Sequence, residues 1–184
     1  MVRAQERLAI VIPITLMIIL ALLYLNFRSL PEVLIIMGTL PLAWIGGIWL
    51  MLLLDYDFSV AVGVGFIALA GVSVEIGVIM LTYLNQAYAQ VTLAAQKEKR
   101  SLKVSDIKEA VTLGAGQRVR PIMMTVSTVI IGLVPIMFSE GTGAEIMHRI
   151  AAPMIGGMFS AVILTLMVIP AVFLVWKSRG LKKG

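Results

Sequence analysis

The sequence predicts an all-α integral membrane helical bundle, because its composition is strongly apolar and its apolar stretches are long. Hydrophobic residues make up 60% of the 184 residues and charged residues only 14%, and the mean hydropathy is +1.01. Soluble domains carry roughly 25% charged residues. The chain is therefore expected to lie mostly in lipid, as a single transmembrane domain over residues 1–184.

Five apolar stretches are long enough to cross a bilayer, because about 20 residues at ~1.5 Å per residue cover a hydrocarbon core of ~30 Å. The fourth stretch is the shortest and contains Pro135, so the pattern defines its ends least well. The predicted transmembrane helices cover residues 8–27, 33–54, 58–84, 122–138 and 150–176.

Glycines are concentrated in the second, third and fifth of these stretches. Small residues let helix backbones approach closely in lipid, where apolar burial does not drive helices together. The third stretch is the richest in glycine, so we expect it at the centre of the bundle. The glycines concerned are Gly46, Gly47, Gly63, Gly65, Gly71, Gly77, Gly156 and Gly157.

The orientation follows from the lysines and arginines, which favour the cytoplasmic side of a membrane. Five helices place twelve of the fifteen basic residues on one side, and only Arg3, Arg7 and Arg149 on the other. The N-terminus is therefore predicted outside and the C-terminus inside. Anionic lipids at the inner surface explain the net charge of +5, so membrane lipids are the expected partners and nucleic acid is not.

The segment 85–121, between the third and fourth helices, is predicted to be a cytoplasmic loop with an amphipathic helix. Within residues 102–119, apolar Val104, Ile107 and Val111 alternate with charged residues such as Lys108. This pattern is typical of a helix that lies along the membrane surface. The alternative is a solvated linker with some helical content.

Glu75 is the single charged residue in the apolar run GVSVEIGVIM (71–80). An ionised group at this depth costs at least ~2.5 kcal/mol, so intramembrane carboxyls are commonly functional. We predict that Glu75 is a proton-relay group, with the hydroxyls of Thr125 and Thr128 as the other members. The alternative is a neutral Glu75 that hydrogen-bonds to one of these threonines and only holds two helices together.

Motifs for other kinds of chemistry are missing from the sequence. There is no phosphate-binding G-x-x-x-x-G-K-[ST], no H-E-x-x-H and no G-x-S-x-G. The absence of cysteine excludes disulfides and thiolate sites. We therefore expect no enzyme activity and no cofactor, and an ion gradient as the energy source.

Methionine is abundant, with twelve residues. Met147, Met154 and Met158 are spaced by seven and four residues, which places them on one face of a helix. Thioether sulfur is a soft ligand suited to Cu(I) and Ag(I), so these three form a candidate metal path. Methionine is also an ordinary filler of apolar cores, and packing is the alternative.

Three stretches carry a family resemblance: FIALAGVSVEIGVIMLTYL (66–84), GAGQRVRPIMMT (114–125) and IMHRIAAPMIGGM (146–158). Together they resemble the closing transmembrane segments of resistance-nodulation-division efflux pumps, and more specifically the Cus or Sil type of the heavy-metal branch. This implies the last five helices of a longer protein in the bacterial inner membrane, with a periplasmic N-terminus. It also implies a homotrimer that works with an adaptor and an outer-membrane channel.

The resemblance further implies the function of the whole pump, which is proton-driven export of monovalent copper or silver. Cu(I), Ag(I) and H⁺ would be transported substrates. Glu75 would occupy the proton-relay position, and Met147 a methionine position on the metal path. Export of divalent metals or organic compounds, and a truncated scaffold that transports nothing, remain as alternatives.

One position departs from the family pattern. Cus-type pumps carry a relay lysine directly after the RVRP motif, where this chain has Ile122. With Arg120 expected at the membrane interface, Glu75 is predicted to lack a cationic partner within these five helices. The acidic partner and the periplasmic metal site would come from the part of the pump that precedes this segment.

Overall fold

A computed structural model describes residues 2–181 as a bundle of α-helices. Five helical segments in this part of the chain are long and apolar enough to span a membrane, which confirms the predicted fold class. The helices are α1 (Val2–Phe27), α2 (Leu30–Met37), α3 (Thr39–Leu53), α4 (Val60–Lys97), α5 (Val104–Met137) and α6 (Ala144–Leu181).

The second predicted span consists of two helices, α2 and α3, joined at Gly38. The amide of Gly38 still donates to the carbonyl of Leu34 at 2.9 Å, so the chain passes from α2 to α3 with little deviation. Together they form one apolar segment, Leu30–Leu53. The next span begins at Ser59, whose hydroxyl accepts a hydrogen bond from the amide of Val62 at 3.4 Å and so caps α4.

The predicted cytoplasmic loop is an antiparallel helical hairpin. The amphipathic segment is helical as predicted, but it is not a separate element on the membrane surface, because it continues through Pro121 into the fourth span as one 34-residue helix. Its apolar residues Ile107 and Val111 pack against Leu81 and Leu84 of α4. Because α4 extends to Lys97, this apolar face is covered by protein and needs no lipid.

The hairpin turn is closed by an ion-pair network. Arg100 contacts Glu98 and Asp106, each at 2.6 Å, and Asp106 also accepts the backbone amide of Lys103 at 2.8 Å at the start of α5. The hydrogen bonds to Asp106 and Glu98 raise the pKa of the Arg100 guanidinium above its already high value. Arg100 therefore stays charged and joins the end of α4 to the beginning of α5.

The predicted close packing at glycines is confirmed where α3 crosses α6. A Cβ added at Gly156 would lie 2.5 Å from the carbonyl oxygen of Gly46 and 2.6 Å from the Cβ of Leu50. Beside this crossing, the hydroxyl of Ser160 donates towards the carbonyl of Ala43 at 3.2 Å. The two backbones therefore touch, as small residues permit in lipid.

Two glycines of α4 point away from this packed core. Gly63 and Gly71 have no neighbour within 4 Å of an added Cβ, and with Ile67 and Glu75 they follow one another at intervals of four residues along the helix. The Glu75 face is therefore the outer surface of α4 within the described bundle. α4 packs against α2, α3, α5 and α6, but α6 makes more extensive contacts with the other helices, so the prediction that α4 is the central helix is not confirmed.

Candidate functional site

Glu75 lies in a cleft between α4 and α5, on the outside of the bundle. The cleft has a volume of about 120 Å³, and Glu75 itself is exposed. The lining residues have the same helical spacing on α4 and on α5, so one face of each helix lines one side of the cleft. The lining residues are Val72, Glu75, Ile76 and Ile79 of α4, and Arg118, Pro121, Ile122 and Thr125 of α5.

Arg118 brings a positive charge into the cleft that holds Glu75. Its guanidinium carbon lies 4.2 Å from the centroid of the Tyr83 ring, and its Nε is buried without a hydrogen-bond partner. Arg118 therefore lines the same cleft as Glu75, although the ion pairs of the described residues do not include one between them. Arg118 lies four residues before Ile122 and seven before Thr125, which puts all three on one face of a continuous helix.

Glu75 and Arg118 share the cleft without a salt bridge. The ion pairs within the described residues join Arg100 to Glu98 and Asp106, and Arg149 to Glu145. Glu75 and Arg118 thus line the same cleft without forming an ion pair.

The two threonines predicted with Glu75 differ in position. Thr125 lines the cleft, and its hydroxyl donates to the carbonyl of Pro121 at 3.1 Å. Thr128 lies one turn further along α5 and donates to Met124 at 2.9 Å. Both hydroxyls therefore bond to their own helix, and of the two only Thr125 lies in the cleft with Glu75.

The three predicted metal-path methionines lie in three different environments along α6. Met147 is 57% exposed near the beginning of the helix, Met154 packs partly buried against the core, and Met158 is fully buried within it. Met158 is covered because α6 packs closely on α3 and α4. Of these three methionines on α6, Met147 is therefore the one whose thioether is exposed.

His148 holds the connection between α5 and α6. Its Nε2 lies 3.1 Å from the carbonyl oxygen of Ser139, just beyond the end of α5. The next residue, Arg149, bonds to Glu145 at 2.8 Å.

The described residues contain no group of three or more His, Cys, Asp or Glu side chains that could hold a metal ion.

Comparison with known proteins places this arrangement in a family. Residues 1–177 match the profile of the AcrB/AcrD/AcrF family. The chain belongs to this family. The match confirms the resemblance to resistance-nodulation-division efflux pumps, and it covers α1 to α5 and α6 as far as residue 177.

Relatives in the AcrB/AcrD/AcrF family carry names that refer to heavy metals. The chain is 48% identical over 178 residues to "Cation efflux system protein CusA" of Escherichia coli K12, covering 96% of this chain and 17% of that protein. It is 47% identical to "Putative cation efflux system protein SilA" of Salmonella typhimurium, with 97% and 17% covered. It is 34% identical to "Cobalt-zinc-cadmium resistance protein CzcA" of Cupriavidus metallidurans, with 92% and 15% covered.

A solved structure has the same fold. The X-ray crystal structure of a heavy metal efflux pump superposes with a TM-score of 0.80 at 34% identity, covering 96% of this chain and 16% of that one. The chain therefore spans about one sixth of the length of the proteins it matches. Its helices correspond to one portion of a much longer pump.

Proposed function

We propose that the chain is the C-terminal transmembrane portion of a proton-driven exporter of Cu(I) and Ag(I). The observation that carries this proposal is the cleft that Glu75 of α4 and Arg118 of α5 both line. Such a pair can couple protonation to helix movement. The segment acts in transport, not as an enzyme, with the metal ions and H⁺ as its substrates.

The coupling works through the charge of Glu75. When Glu75 is ionised, Arg118 attracts it, and a proton on Glu75 removes this attraction. Protonation can therefore shift the balance between two arrangements of α4 and α5.

The exposed face of α4 is where the remainder of the pump packs. An exposed carboxyl beside open positions at Gly63 and Gly71 is costly in lipid, and small residues accept a neighbouring helix at close range. Helices from the preceding half of the pump cover Glu75 and supply an acidic partner. In the complete assembly the chain is part of a homotrimer with an adaptor and an outer-membrane channel.

The orientation is a periplasmic N-terminus and a cytoplasmic C-terminus in the bacterial inner membrane. The α4–α5 hairpin then projects into the cytoplasm with basic residues such as Lys97, Lys103 and Lys108, as the positive-inside rule requires. The loop between α5 and α6 lies on the periplasmic side. Met147, exposed on the first turns of α6, is in position to bind a soft cation at that side.

Two observations support the proposed preference of the exporter for monovalent metal ions: the sequence identity to named relatives and the ligand chemistry of Met147. Identity is higher to CusA and SilA, at 48% and 47%, than to CzcA, at 34%. The accessible Met147 thioether suits Cu(I) and Ag(I) better than it suits Zn²⁺ or Co²⁺. The second candidate is export of divalent metals, which the CzcA similarity favours.

A chimera tests the proposed substrate. Residues 1–177 replace the matching segment of CusA in a strain of Escherichia coli that lacks its own CusA, and survival is measured in silver, copper, zinc and cobalt salts. The proposal expects resistance to silver and copper. Resistance to zinc and cobalt would favour the second candidate, and no resistance at normal membrane abundance would favour a scaffold that transports nothing.

A further inference from the structure

The buried apolar residues of the bundle form two separate clusters along its length. On α4 the buried members of the first cluster end at Ile76 and those of the second begin at Met80, and on α6 the corresponding residues are Val162 and Ile169. Leu166 packs partly buried against both clusters. The boundary between the clusters therefore crosses α4 and α6 at about the same level of the bundle.

Buried hydroxyl groups lie at this boundary. Thr165 falls between Val162 and Ile169 on α6, and Thr39 falls between the second-cluster residue Ile36 and the first cluster on α3. A buried hydroxyl costs free energy unless it is hydrogen-bonded. We call this set the polar layer; it consists of Thr39, Ser73 and Thr165, all of which are buried.

Two prolines interrupt the backbone hydrogen bonding beside the polar layer. Pro41 has no amide hydrogen for the carbonyl of Met37, four residues earlier, and Pro170 has none for the carbonyl of Leu166. The first interruption coincides with the end of α2 and the beginning of α3 on either side of Gly38. Main-chain carbonyls without their usual helical donor therefore add to the polar groups at this level.

The three hydroxyls of the polar layer differ in their hydrogen bonds. Thr39 donates to the carbonyl of Ile36 at 2.7 Å, and Ser73 donates to the carbonyl of Leu69 at 2.8 Å, so each keeps lone pairs that can accept. The hydroxyl of Thr165 is buried without a partner. Together they suit a small ligand that can both donate and accept hydrogen bonds.

Gly77 leaves room for such a ligand beside the polar layer. A Cβ added at Gly77 would lie 3.7 Å from Oγ1 of Thr39 and 3.7 Å from Cδ1 of Ile169, which are ordinary contacts, so a methyl-sized group fits there. Ser73 lies one turn before Gly77 on α4, and Thr165 lies one turn before Ile169 on the same face of α6. The space at Gly77 therefore adjoins polar groups of α3, α4 and α6.

We propose that the polar layer binds one internal water molecule beside Gly77, which joins α3, α4 and α6 by hydrogen bonds. The water donates to the lone pairs of Thr39 and Ser73 and accepts the hydroxyl hydrogen of Thr165. Three hydrogen bonds are typical of a buried water molecule. The inference depends neither on Glu75 nor on the exported ion.

Radiolytic footprinting of the purified CusA chimera detects such a water directly. A brief X-ray pulse converts ordered water into hydroxyl radicals, which oxidise methionines beside it, and mass spectrometry locates the oxidised residues. Met80, which is fully buried three residues beyond Gly77, should be oxidised. Met158, fully buried in the first cluster, is the matched control and should not be.

Gly77→Ala places a methyl group in the space of the water and should cut the oxidation of Met80 to less than half. Without a water, the methyl group would only fill space, and the oxidation of Met80 would not change. Equal protection of Met80 and Met158 in the unaltered chimera would overturn the site, and so would unchanged oxidation of Met80 in Gly77→Ala.

Thermal unfolding of Thr165→Val tests the hydrogen bond to the water. Valine keeps the shape and removes the hydroxyl, so the midpoint of unfolding should fall if Thr165 bonds to a water, and should rise if its hydroxyl has no partner. Thr82→Val is the matched control and should change the midpoint less, because the Thr82 hydroxyl bonds to the Val78 carbonyl of its own helix at 2.8 Å. A midpoint of Thr165→Val at or above that of the unaltered chimera would contradict the water site.

Discussion

Glu75 and Arg118 face the same cleft from two antiparallel helices, one carboxylate and one guanidinium without a salt bridge between them. Charged groups within a membrane are costly, so they commonly mark functional sites. In the proposed relay, Arg118 would supply the cation, although Ile122 stands where the resemblance to Cus-type pumps implies a lysine. It also leads directly to a test of Arg118.

Arg118→Gln should abolish metal resistance conferred by the chimera, because the variant keeps a polar side chain but loses the charge that attracts ionised Glu75. Arg118→Lys should retain part of the resistance, since the charge remains while the planar stacking on Tyr83 is lost. Arg120→Gln is the control, because Arg120 is exposed and does not line the cleft. Normal silver resistance of Arg118→Gln at equal membrane abundance would remove Arg118 from the relay.

The orientation can be tested by labelling, since the chain contains no cysteine. Single cysteines at Ser101, in the α4–α5 hairpin, and at Thr142, between α5 and α6, are placed in a cysteine-free chimera and exposed to an impermeant thiol reagent in spheroplasts. Thr142→Cys should react and Ser101→Cys should not. The opposite pattern would reverse the proposed topology.

Hydropathy predicted the five spans because each must expose apolar side chains to lipid over the full bilayer thickness. It could not predict that α4 runs to Lys97, since residues 85–97 are less apolar than the span before them; within this stretch Tyr88 packs against the cluster that contains Ile107 and Val111 of α5. A surface helix over residues 102–119, as the sequence predicts, places Arg118 outside the membrane-spanning part of the chain. Arg118 lies on the same face of α5 as Thr125 because α5 is one continuous helix from Val104 to Met137.

The sequence also could not predict how deeply each of the three α6 methionines is buried. A spacing of seven and four predicts a common helix face for Met147, Met154 and Met158, and α6 is a helix over that range. The spacing does not indicate which neighbours cover the face at each level. Glycines at the crossing of α3 and α6 bring the helices close enough to bury Met158 completely.

Gly156→Ala should destabilise the bundle at that crossing. The added methyl group would meet the Gly46 carbonyl oxygen at 2.5 Å, and such overpacking typically costs about 1–3 kcal/mol. Gly132→Ala, on α5 with open space around it, is the matched control and should be neutral or slightly stabilising, since alanine favours helix. Thermal unfolding of the purified chimera measures both, and equal stability of the two variants would contradict the close contact.

Met147→Leu should lower silver resistance while Met158→Leu should not. Leucine keeps most of the volume and removes the thioether, so the accessible position loses a ligand and the buried one loses only packing. Resistance is compared at matched abundance of the two variants. If both variants confer full resistance, Met147 is a surface residue without a role in metal passage.

The central claim is that Glu75 carries the proton, and Glu75→Gln is the sharpest test of it. Glutamine keeps the shape and a hydrogen-bonding group but cannot alternate between a charged and a neutral form. A neutral amide costs no more than a carboxylate in lipid, so abundance should be preserved. Glu75→Asp keeps the chemistry at a shorter reach and should retain part of the activity.

The deciding measurement is metal-dependent proton flux in proteoliposomes that contain the chimera, with silver export followed in the same vesicles. The relay predicts that Glu75→Gln loses both proton flux and export while the protein remains folded. If the glutamine variant exports silver with normal proton flux at equal abundance, Glu75 only holds helices together, and the proposed coupling is wrong.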